Sequence, residues 1–349
     1  LKKLLVLLLI IGFGVVTQAD DTLYYPADTW RTATFTEVGM DESLVLEGIT
    51  EFIDQYEQVN SILIIKDGYL VLENYYNDTD AYTINNVFSV TKSLTSVLIG
   101  MAIDDGIIPD LDVTLGEALP QYFADGAFPD KADITLRDLL MMRSGIGWVE
   151  VFQAVDHIRG DEDEVLSVLE NPMVARPSVF WNYSTGTSHL ISAVFQAYAD
   201  MPLEDYAHAR LFEPLGINNW EWREDITGTN FGGSEFYTTP LNLARFGYLI
   251  LRDGVWDDEQ VLSSDWIALT TTTLADNTDE YAYHWWVNNY DAVEVFSAQG
   301  FGGQIIMGVP DYDLLVVMII EPDFGAPSND DELSLLQSHI LLAINRTDG

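Results

Sequence analysis

The chain of 349 residues contains no cysteine. Disulfides, thiolate nucleophiles and cysteine-ligated zinc are therefore excluded. Basic residues are also scarce: 15 Lys and Arg stand against 56 Asp and Glu, for a formal charge of −41. That balance disfavours polyanionic partners, nucleic acid and anionic membrane surfaces alike. The acid is scattered, with only short clusters such as Asp161-Glu162-Asp163-Glu164 and Asp330-Asp331-Glu332. Such a surface suits salty surroundings, where ions screen self-repulsion. The sequence also lacks a G-x-S-x-G elbow, H-E-x-x-H, a P-loop and a full G-x-G-x-x-G. Its five histidines (His157, His189, His208, His284 and His339) lie apart and read as structural or surface residues, so no metal or organic cofactor is expected.

Long apolar runs are equally rare. The one at the start, Leu4 to Val16, follows Lys2-Lys3 and precedes Thr17-Gln18-Ala19 and the acidic Asp20-Asp21. This is the pattern of a secretory signal over residues 1–19, too short for a membrane span of ~20 residues. Export to the periplasm or the medium is the expectation, with an uncleaved membrane anchor as its alternative.

What is present is ample core material, 48% hydrophobic and 12% aromatic. A helix is expected over Leu44 to Tyr56. The strands Ser61–Lys66 and Tyr69–Tyr76 follow, joined by Asp67-Gly68, the residue pair of a two-residue hairpin. Apolar residues Val90, Leu94, Val97, Leu98 and Met101 then recur at helical spacing up to about Asp105, with Gly106 as the C-terminal cap. Residues 107–235 read as a helical subdomain. Within it lie a capping box at Thr135-Leu136-Arg137-Asp138 and helices over Thr187 to Ala199 and Pro202 to Phe212. Strands return at Val293–Ala298, Gln304–Val309 and Leu314–Ile320, close enough together to require antiparallel pairing, before a helix from Leu333 to Ile344. The fold class is therefore α+β, an antiparallel sheet flanked by helices and assembled from residues 20–106 and 236–349, with the helical part inserted.

Three stretches carry candidate chemistry. Ser89 and Lys92 share a face at the start of a buried helix, where an amine one turn away can accept a serine proton and free N–H groups favour an anion. The whole chain has only five lysines (Lys2, Lys3, Lys66, Lys92 and Lys131), which sets Lys92 apart from a solvated surface charge. Tyr183 sits in the aromatic loop Phe180-Trp181-Asn182-Tyr183-Ser184-Thr185-Gly186 and reads either as a packing tyrosine or as a proton acceptor, the latter only beside a cation. Gln299-Gly300-Phe301-Gly302-Gly303 is either a turn or bulge, or a place of close backbone approach to a ligand.

Together these stretches resemble the serine β-lactamase and penicillin-binding-protein superfamily, above all its class C β-lactamase-like esterases and amide hydrolases of the 6-aminohexanoate-dimer hydrolase type. S-x-x-K at Ser89, a Y-x-N counterpart at Tyr183 and a K-T-G counterpart at Ala298-Gln299-Gly300 come in the family's order. Further phrases, such as Leu211-Phe212-Glu213-Pro214-Leu215-Gly216 and Thr239-Pro240-Leu241-Asn242-Leu243-Ala244-Arg245, extend the likeness from about Leu44 to the C-terminal helix. The resemblance implies an antiparallel β-lactamase/transpeptidase-like fold and an exported serine hydrolase acting on a small-molecule or short-peptide acyl substrate. Ser89 would be the nucleophile, and Lys92 would help to deprotonate it while lowering the pKa of Tyr183. Tyr183 would be the general base and then the acid. The backbone N–H groups of Ser89 and Phe301 would form the oxyanion hole, with Thr185, Ala298, Gln299 and Gly300 along the substrate. Two positions depart from the family's pattern. Thr185 replaces the Asn of Y-x-N, and Ala298 replaces the cation that helps to bind carboxylates, which favours an ester or amide over a β-lactam or a D,D-peptide. A β-lactamase or D,D-peptidase, or a non-catalytic ligand-binding homologue, is the alternative.

Overall fold

The computed structural model describes residues 24–26, 29–272, 280–290, 292–323 and 325–344. The expected signal segment lies outside them. Among the described residues no helix is long and apolar enough to cross a membrane.

The centre of the molecule is a seven-stranded antiparallel sheet. Its strands are β1 (Val59–Lys66), β2 (Tyr69–Tyr75), β3 (Tyr281–Ala282), β4 (Trp285–Tyr290), β5 (Val293–Gly300), β6 (Gln304–Val309) and β7 (Leu314–Ile320). They lie in the order β2-β1-β7-β6-β5-β4-β3, so the two ends of the chain meet where β1 pairs with β7. The β1–β2 hairpin closes at Asp67 and Gly68, both with positive φ, which is the backbone a two-residue turn between right-twisted strands requires.

Both faces of the sheet are covered, and this is why β1, β6 and β7 read as continuous apolar runs. On one face Ile62, Ile64, Met307 and Val316 pack beneath α1 (Glu42–Gln55) and the C-terminal helical segment. On the other, Leu63, Ile65, Ile306 and Val317 join a larger core that runs without a break into the helical part of the chain. The helical region 107–235 therefore shares its core with the sheet. A small three-stranded sheet also binds the two, with Asn85–Asn86 and Glu221–Trp222 flanking Phe236–Thr238.

Four further helices position the site: α2 (Val90–Asp104), α3 (Leu136–Leu140), α4 (Glu150–His157) and α5 (Thr185–Ala199). The capping box of α3 forms as expected, Thr135 accepting from the Asp138 N–H and Asp138 from the Thr135 N–H. Helix α5 begins two residues earlier than its apolar spacing predicts, because the Ser184 hydroxyl caps the Thr187 N–H at 2.9 Å and draws Thr185 into the first turn. The C-terminal helix also starts early, at Asn329 behind a Ser328–Asp331 capping box, and passes into a wider π-type turn over Leu336–Ile340.

Candidate active site

Ser89 is the N-cap of α2 and Tyr183 stands just before the N-cap of α5, so two helix N-termini converge where Ser89 meets Lys92. The approach to Ser89 is fixed by its neighbours. Val87 N–H donates to the Phe236 carbonyl at 3.0 Å, and Asn86 Oδ1 accepts from Phe88 N–H at 2.8 Å. Phe88 itself adopts φ +46°, a left-handed conformation that a bulky residue holds only where surrounding contacts impose it.

Lys92 is 1% exposed. Its Nζ lies 2.9 Å from Ser89 Oγ, 2.8 Å from Thr185 Oγ1 and 2.8 Å from the Gly233 carbonyl oxygen, which uses all three valences of the amine beyond its carbon. Burial pushes the Lys92 amine down to about 8, against the opposing charge of Glu150. A lysine in this state exchanges its proton near neutral pH, as a base for a serine must. The carbonyl is delivered by a glycine pair. A Cβ on Gly232 would stand 2.3 Å from the Ser188 carbonyl and one on Gly233 2.9 Å from that of Thr185, so only glycines let this loop press onto α5.

Tyr183 differs from the expectation that Lys92 would depress it. Burial pushes its hydroxyl well above 10, with hydrogen bonding to Ser89 opposing. The Lys92 nitrogen sits over the Tyr183 ring, 4.7 Å from its centroid, and directs its hydrogens to Ser89, Thr185 and Gly233. The ring is boxed by Trp181, Tyr281 and Trp286, with Trp286 stacked on it at 6.2 Å. Tyr183 at rest is therefore a protonated phenol, poised to donate.

Phe301 is brought to Ser89 by steric necessity. A Cβ on Gly300 would come within 2.5 Å of the Val87 carbonyl oxygen, so the end of β5 lies directly against the strand leading into Ser89. The Phe88 and Phe301 rings then meet edge to face at 5.9 Å. Gly300 thus approaches the chain's own backbone, while Gly300, Phe301 and Gly302 also border the cleft above Ser89.

A cleft of about 800 Å³ opens over this group, and Ser89, Tyr183, Thr185, Gln299, Gly300 and Phe301 all border it. Of the predicted substrate positions, Ala298 falls elsewhere. Ala298 is fully buried in the main core, paired with Ile306 across the sheet, and does not border the cleft. Thr185 borders it, but its hydroxyl is engaged between Lys92 and Glu150.

Glu150, the first residue of α4, is the group that sequence reasoning missed. Its carboxylate accepts from the Thr185 hydroxyl, from the Thr185 N–H at 2.9 Å and from Trp148 Nε1 at 2.5 Å. One acid among 56 carries no mark of its own, although the substitution of Thr for Asn at position 185 was a signal that the lysine's surroundings had been rebuilt. His284 was also missed. Its Nδ1 lies 3.2 Å from the Lys92 carbonyl, and burial together with the Lys92 charge pushes the imidazole down to about 3, so it stays neutral and braces α2. His157 and His189, distant in sequence, meet edge to face at 5.0 Å and pair with Glu164 and Asp225 respectively inside the helical region. Even so, no group of three or more His, Asp or Glu among the described residues is disposed to hold a metal.

Comparison with known proteins agrees with this architecture. The family model described as Beta-lactamase matches residues 51–338. Among solved structures, a candidate 6-aminohexanoate-dimer hydrolase from Bacillus anthracis superposes with a TM-score of 0.73 at 18% identity, over 85% of this chain and 83% of that one. A candidate β-lactamase from Bacteroides dorei DSM 17855 gives 0.72 at 18%, over 88% and 100%. An octameric penicillin-binding protein homologue from Pyrococcus abyssi gives 0.69 at 20%, over 88% and 78%. No curated protein sequence matches the chain.

Proposed function

Because the chain belongs to the β-lactamase family, with a serine-hydrolase fold, we propose that it hydrolyses an ester or amide through an acyl-enzyme on Ser89. The observation that carries this reading is the buried Lys92 amine, 2.9 Å from Ser89 Oγ, with its pKa pushed down to about 8. Lys92 takes the Ser89 proton as Oγ attacks the carbonyl carbon. The oxyanion forms against the Ser89 and Phe301 N–H groups, where one well-aimed donor is worth ~3 kcal/mol of barrier. On collapse, the leaving group takes the proton of Tyr183, and the phenolate left behind is stabilised by the Lys92 ammonium over its ring. Water then attacks the acyl-enzyme, its proton returns to Tyr183, and Ser89 departs with the proton held by Lys92. Each group ends as it began. This division assigns proton uptake from Ser89 to Lys92 rather than to Tyr183, since the resting tyrosine is held protonated.

The cleft narrows the substrate class. Its ionisable borders besides Tyr183 are the acids Glu150, Glu235 and Asp323, and no Lys, Arg or His is among the described residues lining it. Val151, Val155, Trp181 and Trp286 supply apolar walls. An uncharged or cationic apolar ester or amide fits this lining, and a carboxylate does not. A panel of neutral esters, anilides and labelled penicillin, assayed for turnover and for covalent attachment to Ser89, tests the assignment. Turnover of esters or amides with Ser89 acylation is expected. Stable penicillin attachment without ester turnover would move the protein to the penicillin-recognising branch, and ligand binding without acylation would make it a non-catalytic homologue.

A further inference from the structure

The hydrogen-bond directions around Lys92 follow from a count of donors and acceptors. Glu150, as a carboxylate, can only accept. The single Thr185 hydroxyl hydrogen is given to Glu150 Oε1, and the Thr185 N–H to Glu150 Oε2 at 2.9 Å. Thr185 Oγ1 can then face Lys92 only as an acceptor, across 2.8 Å. The Gly233 carbonyl, also at 2.8 Å, is an acceptor by nature. Two Lys92 hydrogens are thus committed to fixed acceptors, and the third valence points at Ser89 Oγ. In the ammonium that valence is a hydrogen, and in the neutral amine it is the lone pair.

We propose that Glu150 is a positioning residue for the reaction of Ser89, acting through Thr185. By holding the Thr185 hydrogen it keeps Thr185 an obligate acceptor, so the Lys92 lone pair has no partner except the Ser89 hydroxyl. Without the carboxylate, the Thr185 hydroxyl is free to turn and donate to Lys92, competing with Ser89 for the lone pair. Trp148 Nε1, donating to Glu150 Oε2 at 2.5 Å, fixes the carboxylate in its turn. Glu150 also begins α4, whose Val151 and Val155 border the same cleft, so this contact ties the cleft wall to the base. The relay replaces the amide side chain that the family's Y-x-N pattern would set at position 185.

The inference rests on the reading of Ser89 and Lys92 as nucleophile and base, and its test separates the two. Single-turnover acylation by an activated short-chain ester is followed against pH for the wild type, Glu150→Gln, Thr185→Val and Thr185→Ser. In parallel, the side-chain amine of Lys92 is titrated by NMR on protein labelled at lysine. For Glu150→Gln the account expects the acylation plateau to fall about tenfold, well short of the loss of a general base itself. Because the Glu150 charge favours the ammonium, the acidic limb and the Lys92 titration should both move to lower pH in this variant. Thr185→Val should be impaired at least as much, and Thr185→Ser should restore the wild-type rate. A simple loosening of α4 would lower the plateau of Glu150→Gln but leave Thr185→Val near the wild type, because valine removes the hydroxyl and leaves Glu150 in place. If Glu150→Gln leaves both plateau and titration unchanged, or Thr185→Val acylates like the wild type, the relay is wrong. If the wild type is never acylated while the Lys92 titration still moves in Glu150→Gln, the hydrolase reading fails, the relay loses the reaction it would position, and only the charge coupling between Glu150 and Lys92 remains.

Discussion

Gly300 and Val87 are in contact so close that a Cβ on the glycine would lie 2.5 Å from the Val87 carbonyl oxygen. The contact joins the last residue of β5 to the segment that turns into Ser89, and so sets Phe301 against Phe88, the neighbour of Ser89. Gly300→Ala must push these segments apart. The expected cost is about 1–3 kcal/mol of stability, the usual range for overpacking, read as a lower denaturant midpoint. Ester kcat should fall more than KM rises, because the proposed oxyanion donors, the Ser89 and Phe301 N–H groups, would separate while the cleft remains.

The pH dependence of the proposed acylation should follow Lys92. Its amine is pushed down to about 8 by burial, so the base form grows as pH rises through that value. Acylation should climb nearly tenfold per pH unit below about 7 and level off above about 9. Replacement by methionine, close to lysine in length and without a base, should reduce kcat by ~100-fold or more across the whole range. A stopped-flow pH profile of both proteins checks this.

Charge in the cleft should be read out by substrate. Glu150, Glu235 and Asp323 border it, although Glu235 is tied to Arg223 at 2.5 Å. A neutral ester and its carboxylated analogue of equal length should differ in kcat/KM by about tenfold or more in favour of the neutral one, with the gap closing as salt screens the acids. Kinetics at low and high ionic strength test it.

Glu332 offers a prediction about stability. Its carboxyl is fully buried behind the Gly302-Gly303 turn, without a hydrogen-bond partner for either oxygen among the described residues. Burial, reinforced by Asp331 and Asp330, pushes it from an ordinary 4.5 up to about 8. Between those values the folded protein holds a proton that the unfolded chain has released. Stability from this group is therefore complete below about 4.5 and declines as pH rises to about 8. Glu332→Gln, isosteric and uncharged, should raise stability at pH 7 by about 1–3 kcal/mol and make no difference near pH 4. Urea unfolding at the two pH values decides this.

The parts of the site that were legible in the sequence are those whose geometry is local. Ser89 and Lys92 lie one helical turn apart, and a turn of helix guarantees their proximity. The scarcity of lysine pointed the right way, although for a broader reason than supposed, because Lys66 and Lys131 are buried too. The sheet was legible because β5, β6 and β7 are apolar runs separated by tight turns. Glu150 and Gly233 were not legible, since they reach Lys92 from 58 and 141 residues away, and nothing in the periodicity of α4 or of the Gly232-Gly233 loop reports on a distant amine. The state of Tyr183 was hidden for a similar reason. It depends on whether the lysine faces the oxygen or the ring, and the Thr185 and Gly233 acceptors decide that.

In the proposed reaction Ser89 forms an acyl-enzyme with Lys92 as its base. Intact-mass and peptide-mass measurement after brief exposure to an activated short-chain ester tests it most directly. One acyl group is expected, on the peptide bearing Ser89, appearing faster as pH rises through about 8 and absent in Ser89→Ala. A folded wild-type protein that hydrolyses the ester with no mass gain at Ser89, or that carries the acyl group elsewhere, would contradict it.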